Sequence, residues 1–225
     1  MYAIVPIKSH SERVPGKNFR VLGDKPLYEW IIRTLLSIKA IEQIIIDTDS
    51  RHEGLWKLGE NPRIILKERP EELLGDYVSM NRIIQNIVES TENTNYLMTH
   101  VTNPFLSKET IEKAIEIFSS RENTGHDSLF SVSRIQGRLI RKNGSPLNHN
   151  PSNLVRTQDL EEVYLENSCL YIFSRETFVY NQSRIGLRPF LFSTPILDSI
   201  DIDTLEEWNY ASLLANNCFI SNENF

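Results

Sequence analysis

The sequence predicts an α/β fold whose mostly parallel sheet lies between two layers of helices. In the first half of the chain, short apolar runs alternate with segments in which apolar residues recur at helical spacing. This order of strand and helix is typical of parallel sheets built from right-handed crossovers. The length of 225 residues suits one sizeable domain. We therefore expect a single three-layer α/β/α domain over residues 1–225.

The expected elements of the first half follow one another without long gaps. Their apolar runs are short and rich in isoleucine and valine, as in strands that are covered on both faces. Pro26 suits the first turn of a helix, and Ser107 suits a helix N-terminus. In order, we expect a strand at 3–7, a helix at 27–38, strands at 44–46 and 64–66, a helix at 78–88, a strand at 96–98 and a helix at 107–118.

The pattern changes after a further expected strand at 129–132. Residues 134–165 contain Gly137, Gly144 and two prolines but little helical periodicity, which predicts a hairpin-rich excursion from the main sheet. Apolar residues of this excursion have no obvious helix to cover them, so we expect a partner surface. The sheet is expected to resume with strands at 168–173 and 189–193, before a final helix.

Composition excludes several classes of protein. Hydrophobic residues make up 40% of the chain and charged residues 24%, which is ordinary for a globular protein. The net charge of −6 argues against nucleic-acid binding, which needs a basic surface. No apolar run approaches the roughly 18 residues of a membrane span, so we expect no membrane association. Cys169 and Cys218 lack metal-ligand or CxxC spacing, which favours reduced thiols in a cytoplasmic protein.

The stretch after the first strand, "KSHSERVPGKN", combines cations, hydroxyls and chain breakers. Lys8, Arg13 and Lys17 supply positive charge, and Gly16 lets backbone N–H groups approach an anion closely. Open α/β sheets bind ligands at the carboxyl ends of their strands, where this loop lies. The loop lacks the GxxxxGK[ST] pattern of a Walker A motif. It therefore favours a polyanion such as a triphosphate, with an ordinary solvated loop as the alternative.

A second candidate site lies at "SIDIDT", before the final helix. In a strand, Asp201 and Asp203 would share one face while the intervening isoleucine enters the core. Two residues along a strand span about 6.5–7 Å, from which two carboxylates can converge on a hard cation such as Mg²⁺. The alternative is a helix start, because Thr204 and Glu207 form a capping box. Both interpretations can hold at once.

Six segments of the chain carry motifs of one enzyme family. They are "IVPIKSHSERVPGKN", "DTDS", "ERPEELLGDYVS", "VTNPF", "RTQDLEEVYLENSCLYIF" and "SIDIDT". In this order they resemble the nonulosonate cytidylyltransferases, which make CMP-activated sialic acids and related sugars. The resemblance implies a Rossmann-like nucleotidyltransferase fold. It also implies a homodimer in which the excursion at 134–165 reaches the neighbouring subunit and its sugar site.

The resemblance implies a nucleotide site built on the opening loop. Lys8 stands where the family usually has Arg, and Glu12 where Lys is common, so we expect Glu12 to lie away from phosphate. Arg69 is implied to read the O2 and N3 acceptors of cytosine with help from Ser79, and an exposed loop arginine is the alternative. The implied nucleotide-binding residues are Lys8, Ser9, Arg13, Gly16, Lys17, Asn18, Arg69 and Ser79.

The resemblance also implies a site for the acid sugar. His100 stands where the family has a glutamine near the sugar, although a lone histidine is often structural. Arg156 is the candidate cation for the sugar carboxylate, and Tyr164 could equally belong to the core or to an interface. The implied sugar-binding residues are His100, Asn103, Arg156, Gln158, Tyr164 and Asn167.

The reaction implied is transfer of CMP from CTP to a nine-carbon α-keto acid sugar, with release of pyrophosphate. Asp201 and Asp203 would hold Mg²⁺, and Lys8, Arg13 and Lys17 would complete the catalytic set. Two alternatives stay open: a cytidylyltransferase for the eight-carbon acid 3-deoxy-manno-octulosonate, and an inactive nucleotide-binding regulator. The substitution at His100 leaves the choice among sialic, legionaminic, pseudaminic and related acids open, and the effect of the departures at Lys8 and Glu12 also stays open.

Overall fold

A seven-stranded sheet forms the centre of the protein. The structure is a computed structural model that describes residues 1–220, except for the side chains of residues 122 and 217–220. The strands are β1 (Tyr2–Ile7), β2 (Val21–Leu22), β3 (Lys25–Pro26), β4 (Gln43–Thr48), β5 (Ile64–Glu68), β6 (Asn95–Thr99), β7 (Ser128–Ile135), β8 (Val163–Ser174) and β9 (Pro189–Ser193). The large sheet has the order β5-β4-β1-β6-β8-β7-β9, and β2 pairs with β3 alone. Only β8 is antiparallel to its neighbours in the large sheet, which confirms a mostly parallel sheet.

Helices cover both faces of this sheet. They are α1 (Leu27–Leu36), α2 (Glu53–Lys57), α3 (Met80–Glu89), α4 (Lys108–Ser119), α5 (Arg121–Thr124), α6 (Arg175–Asn181) and α7 (Leu205–Ile220). Apolar residues of α1 and α4 share one core with the sheet, and those of α3 and α6 share a second core. The three α/β/α layers predicted from the sequence are therefore confirmed.

The first strand shows why the apolar runs are continuous. Ala3, Val5 and Ile7 enter the core beneath α1 and α4, whereas Ile4 enters the core beneath α3. Successive side chains of a strand point to opposite faces, so a strand covered on both sides needs apolar residues at every position. Full burial of one such side chain contributes about 1.5–3 kcal/mol. The carboxyl end of β1 is thus firmly anchored just before the cationic loop.

The segment before α7 differs from its predicted form. Residues 194–204 contain no strand, so the strand geometry expected for Asp201 and Asp203 is wrong. The segment is held instead by a third apolar cluster that contains Ile202 and Trp208, and by the Ile202 amide, which donates to the carbonyl oxygen of Thr102 at 2.9 Å. One buried isoleucine and one backbone hydrogen bond therefore fix the position of the two aspartates.

The excursion is shorter than the sequence predicts. Residues 134, 135 and 163–165 belong to β7 and β8, whose pairing continues to Ile135 and Val163, so the chain leaves the sheet only over 136–162. Within this range two isolated bridges join Ile140 to Pro146 and Asn150 to Asn153. The predicted hairpin character is present, but the two long strands that enter and leave it are part of the main sheet.

Two further expectations concern membrane-spanning helices and the state of the cysteines. Within residues 1–220, no helix combines the length and apolar character that crossing a membrane requires. Cys169 is a buried free thiol. The side chain of Cys218 lies outside the described residues.

Candidate active site

A cleft of about 410 Å³ opens at the carboxyl ends of β1 and β6. Loops converge at this edge of a parallel sheet, so residues distant in sequence meet there. Ser9, Gly16, Ser79 and five of the predicted sugar-binding residues are absent from its lining. The predicted residues that the cleft brings together are Lys8, Arg13, Lys17, Asn18, Arg69, His100, Asp201 and Asp203.

The opening loop owes its shape to one glycine and one aspartate. Gly16 has φ of +66°, a left-handed conformation that glycine adopts without steric cost, and a short 3₁₀ turn at Lys17–Phe19 follows it. At the other end of the loop, the amide of Ser9 donates to Asp49 Oδ1 at 2.5 Å. Gly16 and Ser9 therefore shape the loop from outside the cleft wall.

Two of the loop cations meet one carboxylate. Lys17 is buried, and its Nζ donates to Asp203 Oδ1 at 2.8 Å and to the Ile202 carbonyl at 2.5 Å. Arg13 Nη2 donates to Asp203 Oδ2 at 2.7 Å. Burial opposes ionisation of Asp203, but the hydrogen bonds and charges of Lys17 and Arg13 lower its pKa overall. The result is a fixed cluster of two cations on one ionised aspartate.

The third loop cation belongs to a looser pair. Lys8 Nζ lies 3.1 Å from Asp76 Oδ1, and both side chains are substantially exposed. Exposed pairs of this kind typically contribute less than 1 kcal/mol, so an incoming anion can exchange with Asp76 at little cost. Glu12 is among the residues that line the cleft. The expectation that its side chain points away from phosphate stays a prediction.

Arg69 is the most deeply held cation of the cleft. Its side chain is 1% exposed, and its Nε donates to Asp47 Oδ1 at 2.5 Å. Asp47 lies on β4, within the "DTDS" motif, and burial raises its pKa in spite of the arginine. Nη2 of Arg69 reaches the Asp47 carbonyl at 3.3 Å, while Nη1 makes no hydrogen bond within the described residues. Nη1 is thus the donor of the guanidinium that can bind a ligand.

The predicted helper of Arg69 lies elsewhere. Ser79 is exposed, occupies the position before α3 and lines a neighbouring recess with Met80 instead of the main cleft. Asn18 has a different placement: it is buried in the cleft wall and its Nδ2 donates to the Lys8 carbonyl at 2.9 Å. Its Oδ1 is buried without a partner among the described residues. Asn18 therefore offers one acceptor to a ligand.

Asp201 carries the feature most relevant to a cation. Its Oδ1 is buried and has no hydrogen-bond partner among the described residues, and burial raises the pKa of Asp201. An unpaired buried acceptor costs about 1–3 kcal/mol, which a bound cation would offset. Mg²⁺ typically takes one or two carboxylates and completes its shell with phosphate and water, so Asp201 beside Asp203 fits this ion. Among the described residues, no group of three or more His, Cys, Asp or Glu side chains forms a metal site unaided.

His100 is the one predicted sugar residue in the cleft lining. It follows β6 and is half-buried, and loss of hydration together with the charges of Arg184 and Lys17 lowers its pKa to about 4. The imidazole is therefore neutral near pH 7. A neutral ring offers one donor and one acceptor, as the amide of glutamine does.

The other predicted sugar residues lie outside the cleft. Asn103 is fully buried and donates to the Ile200 carbonyl at 3.1 Å, and Asn167 Nδ2 donates to Thr194 Oγ1 at 2.7 Å. Arg156, Gln158 and Tyr164 are exposed on or beside the excursion, where Arg156 pairs with Asp159 at 2.7 Å and the Tyr164 hydroxyl donates to Glu162 at 2.5 Å. Within one chain, the two asparagines hold backbone and hydroxyl groups, and the exposed residues lie outside the cleft lining.

Sequence reasoning missed several residues of the site. Asp47 and Asp49 hold Arg69 and the opening loop, and the "DTDS" motif after an apolar run was the available signal. Ser168 lines the cleft with φ of +58°, a conformation that is uncommon for serine and that tends to cluster at functional sites. Nothing local in the sequence marks Ser168, because its conformation arises where the pairing of β7 and β8 is irregular.

The fold and the cleft together define a class of protein. A parallel α/β sheet that gathers cations and aspartates at the carboxyl ends of its strands is typical of nucleotide-binding enzymes. A family model described as cytidylyltransferase matches residues 2–223. The chain therefore belongs to the cytidylyltransferase family of nucleotidyltransferases, which confirms the family recognised from the motifs.

Curated relatives carry related names. The chain is 29% identical over 224 residues to the CMP-N,N′-diacetyllegionaminic acid synthase of Legionella pneumophila, covering 92% of each chain. It is 24% identical to the pseudaminic acid cytidylyltransferase of Campylobacter jejuni over 94% of each chain. It is 28% identical to the N-acylneuraminate cytidylyltransferase of Oncorhynchus mykiss over 78% of this chain, but spans only 41% of that longer protein.

Solved structures show the same fold. The CTP complex of CMP:2-keto-3-deoxy-manno-octonic acid synthetase superimposes with a TM-score of 0.65 at 14% identity, covering 96% of this chain and 98% of the other. The 4-diphosphocytidyl-2C-methyl-D-erythritol synthase of Anaerococcus prevotii gives a TM-score of 0.66 at 13% identity, over 95% of both chains. These similarities extend over nearly the whole chain and establish its architecture.

Proposed function

We propose that the protein transfers CMP from CTP to a nonulosonic acid sugar and releases pyrophosphate. The observation that carries the proposal is the cleft itself, in which Arg69, three loop cations and two aspartates meet in a chain of the cytidylyltransferase family. The names of the relatives from Legionella and Campylobacter favour nine-carbon acids as acceptors. Which acid is used is the part of the proposal that the names leave open.

The nucleotide part of the proposal rests on Arg69 and Asn18. Asp47 fixes the guanidinium of Arg69, and its free Nη1 can donate to the acceptors O2 and N3 of cytosine. Uracil presents a donor at N3, so this arrangement favours CTP over UTP. Asn18 Oδ1 would accept a hydrogen bond from the nucleotide, because it is buried without a partner in the described structure.

The phosphate part of the proposal rests on Lys8, Arg13 and Lys17. In the reaction, the anomeric hydroxyl oxygen of the sugar forms a bond to the α-phosphorus and loses its proton to water. The bond from this phosphorus to the bridging oxygen breaks, and pyrophosphate leaves with the electron pair. Catalysis of such transfers is mostly positioning and charge stabilisation, and the fixed cations supply both.

Asp201 and Asp203 are the residues that would hold Mg²⁺. When bound, the ion would neutralise charge that develops on the phosphates. Asp203 keeps Lys17 and Arg13 in place, while the partnerless Oδ1 of Asp201 is the free carboxylate oxygen of the pair. Asp203 would therefore order the two cations as well as contribute to the metal site, while Asp201 would offer its free oxygen to the ion.

We also propose a homodimer in which the excursion supplies residues to a neighbouring cleft. Arg156, Gln158 and Tyr164 are exposed and lie outside the cleft of their own chain, and Leu154 nearby is 64% exposed. A second subunit would cover these groups. Sedimentation of a fully active monomer at micromolar concentration would contradict this part of the proposal.

The test is a panel of acceptors assayed with CTP and Mg²⁺ for pyrophosphate release. N-acetylneuraminate, N,N′-diacetyllegionaminate, pseudaminate and 3-deoxy-manno-octulosonate should be compared, with UTP as the control nucleotide. We expect one of the nine-carbon acids to be used best and UTP poorly. Preference for the eight-carbon acid would replace the proposed acceptor class, and CTP binding without pyrophosphate release would favour the inactive regulator.

A further inference from the structure

Arg184 is a cation that the motifs of the chain do not include. It follows α6, is half-buried, and its Nη1 lies 3.3 Å from the sulfur of Met98. Its guanidinium carbon lies 3.8 Å from the centre of the Tyr171 ring. The aromatic face and the thioether therefore hold the side chain in one place, which lowers the entropy cost of binding a ligand there.

Arg184 has no carboxylate partner. Among the described residues, none of its nitrogens lies within 4.0 Å of a carboxylate oxygen, and it is absent from the ion pairs of the molecule. The acidic side chain in this neighbourhood, Glu166, accepts a hydrogen bond from the Tyr171 hydroxyl instead. Charged groups removed from water are normally paired, so a half-buried arginine that has only a ring and a sulfur beside it is poised to receive an anion.

Arg184 also borders the candidate active site. Met80 lines both the main cleft and the recess that contains Arg184. Ser168 lines the cleft, and its Oγ lies 3.2 Å from the hydroxyl of Tyr171, whose ring carries the guanidinium. The charge of Arg184 also contributes to the lowered pKa of His100, which lines the cleft. Arg184 therefore lies in a recess that adjoins the cleft at Met80, on the side where Tyr171 contacts Ser168.

We propose that Arg184 binds the carboxylate of the acid sugar acceptor, an inference that rests on the proposed function. The cations that line the cleft already have roles in the proposed function, because Lys8, Arg13 and Lys17 serve the phosphates and Arg69 serves the base. A carboxylate at Arg184 would place the acid end of the sugar beside His100 and Ser168. This assignment gives the carboxylate a cation from the same chain as the nucleotide site.

The competing candidate is Arg156, which the family resemblance favours. Arg156 forms a bidentate pair with Asp159, with Nε and Nη2 at 2.7 and 3.0 Å from the two carboxylate oxygens. It is 73% exposed at its side chain and can reach a carboxylate in a cleft only through a second subunit. Arg184 needs neither the exchange of an existing partner nor a dimer.

The test compares an acid acceptor with its carboxamide, which is neutral at the same position. For the acid that the wild-type enzyme uses best, kcat/KM is measured for both compounds in wild type, Arg184→Met, Arg184→Lys and Arg188→Met. Arg188 is an exposed arginine of the same connection, outside the cleft lining, and serves as the matched control. KM for CTP is measured in parallel.

Wild type should prefer the acid over the carboxamide by about 10- to 100-fold, the range expected for hydrogen bonds to a charged group. Arg184→Met should lose this preference through a higher KM for the acid, with KM for CTP unchanged, and Arg184→Lys should restore part of it. Arg188→Met should behave as wild type. If Arg184→Met does not fold, Arg184→Gln replaces it.

An Arg184→Met enzyme that still prefers the acid as strongly as wild type does would overturn the assignment. Equal losses for CTP and for both acceptors would also overturn it, because they indicate a structural role. Absence of turnover by the wild-type enzyme with every acid would instead overturn the proposed function, and the assignment with it. The two failures are therefore distinguishable.

Discussion

At the scale of single residues, the cleft is organised by carboxylates that hold cations in place. Asp47 orients Arg69, and Asp203 orients Lys17 and Arg13. Lowering the entropy of a charged side chain before the ligand arrives makes each contact with the ligand more effective. Because these carboxylates fix the cations, the position of each cation should depend on its carboxylate partner.

Replacement of Arg69 tests the reading of the base. Arg69→Ala should lower kcat/KM for CTP by about 10- to 100-fold and weaken the preference for CTP over UTP, because the hydrogen bonds to cytosine are lost. Arg51→Ala is the control, since Arg51 is exposed, pairs with Glu68, lies over the Trp56 ring and is outside the cleft lining. Unchanged selectivity between CTP and UTP in Arg69→Ala would remove the role of Arg69 in base recognition.

Replacement of the two aspartates tests the metal assignment. Asp201→Asn and Asp203→Asn should each stay folded but lose most Mg²⁺-dependent turnover, measured as rate against Mg²⁺ concentration. Asp203→Asn should also raise KM for CTP, because Lys17 and Arg13 lose their common anchor. Near-normal turnover and Mg²⁺ dependence in both variants would contradict the assignment.

The lowered pKa of His100 predicts a dependence of stability on pH. The native pKa is about 4, below the ordinary value of 6.5, so between these values the unfolded chain binds a proton that the native protein does not. The free energy of unfolding should therefore fall as pH decreases from about 6.5 to 4. Urea unfolding at several pH values should show a shallower fall in His100→Gln. An identical slope in the variant would show that His100 protonates equally in both states.

At the scale of elements, helix ends position the chemistry. The capping box predicted at α7 is present: Glu207 Oε2 accepts from the Thr204 amide at 2.8 Å, and Thr204 Oγ1 accepts from the Glu207 amide at 3.2 Å. Glu207 also accepts from the Asp203 amide at 2.8 Å. The cap and the carboxylate cluster thus share one backbone segment, so helix stability and the placement of Asp203 are linked.

Replacement of Thr204 should affect stability first. Thr204→Ala should lower the free energy of unfolding by about 1 kcal/mol, the usual contribution of an N-cap side chain, while Thr204→Ser should retain it. Urea unfolding of the three proteins measures this directly. If Thr204→Ala is as stable as wild type, the capping hydrogen bond contributes nothing to the native state.

The elements also show which parts of the fold could be predicted from the sequence. Apolar runs such as Ile44–Ile46 revealed the buried strands, because a strand covered on both faces has no polar alternation. The short helices α2, α5 and α6 were not predicted, since five, four and seven residues are too few for a clear period. The segment at "SIDIDT" alternates like a strand but pairs with none, and burial of Ile202 and the helix cap hold it in place.

The residues of the site likewise separate into those that the sequence could predict and those that it could not. Loop cations and "SIDIDT" are contiguous motifs, so the sequence itself pointed to Lys17 and Asp203, whereas Arg69 was implied by the family resemblance. Ser168 and Arg184 take their importance from where β8 and the chain after α6 meet the cleft, and that meeting is a property of the tertiary fold. No local sequence pattern predicts these two residues.

At the scale of the whole molecule, cations are concentrated in the cleft although the chain as a whole is negatively charged. The chain carries a net charge of −6, yet its cleft concentrates Lys8, Arg13, Lys17 and Arg69 at one edge of the sheet. A local cationic cleft in an acidic protein favours small anions over nucleic acid. The two apolar cores on either side of the sheet anchor the strands that lead to this edge, which suits a reaction that depends on positioning.

The most direct test of this account is the mass of the nucleotide product formed from CTP, Mg²⁺ and an acid sugar. We expect CMP joined to the sugar, one pyrophosphate for each molecule of product, and no product from a neutral sugar of similar size. Hydrolysis of CTP without a sugar adduct, or adducts formed equally well from neutral sugars, would contradict the account.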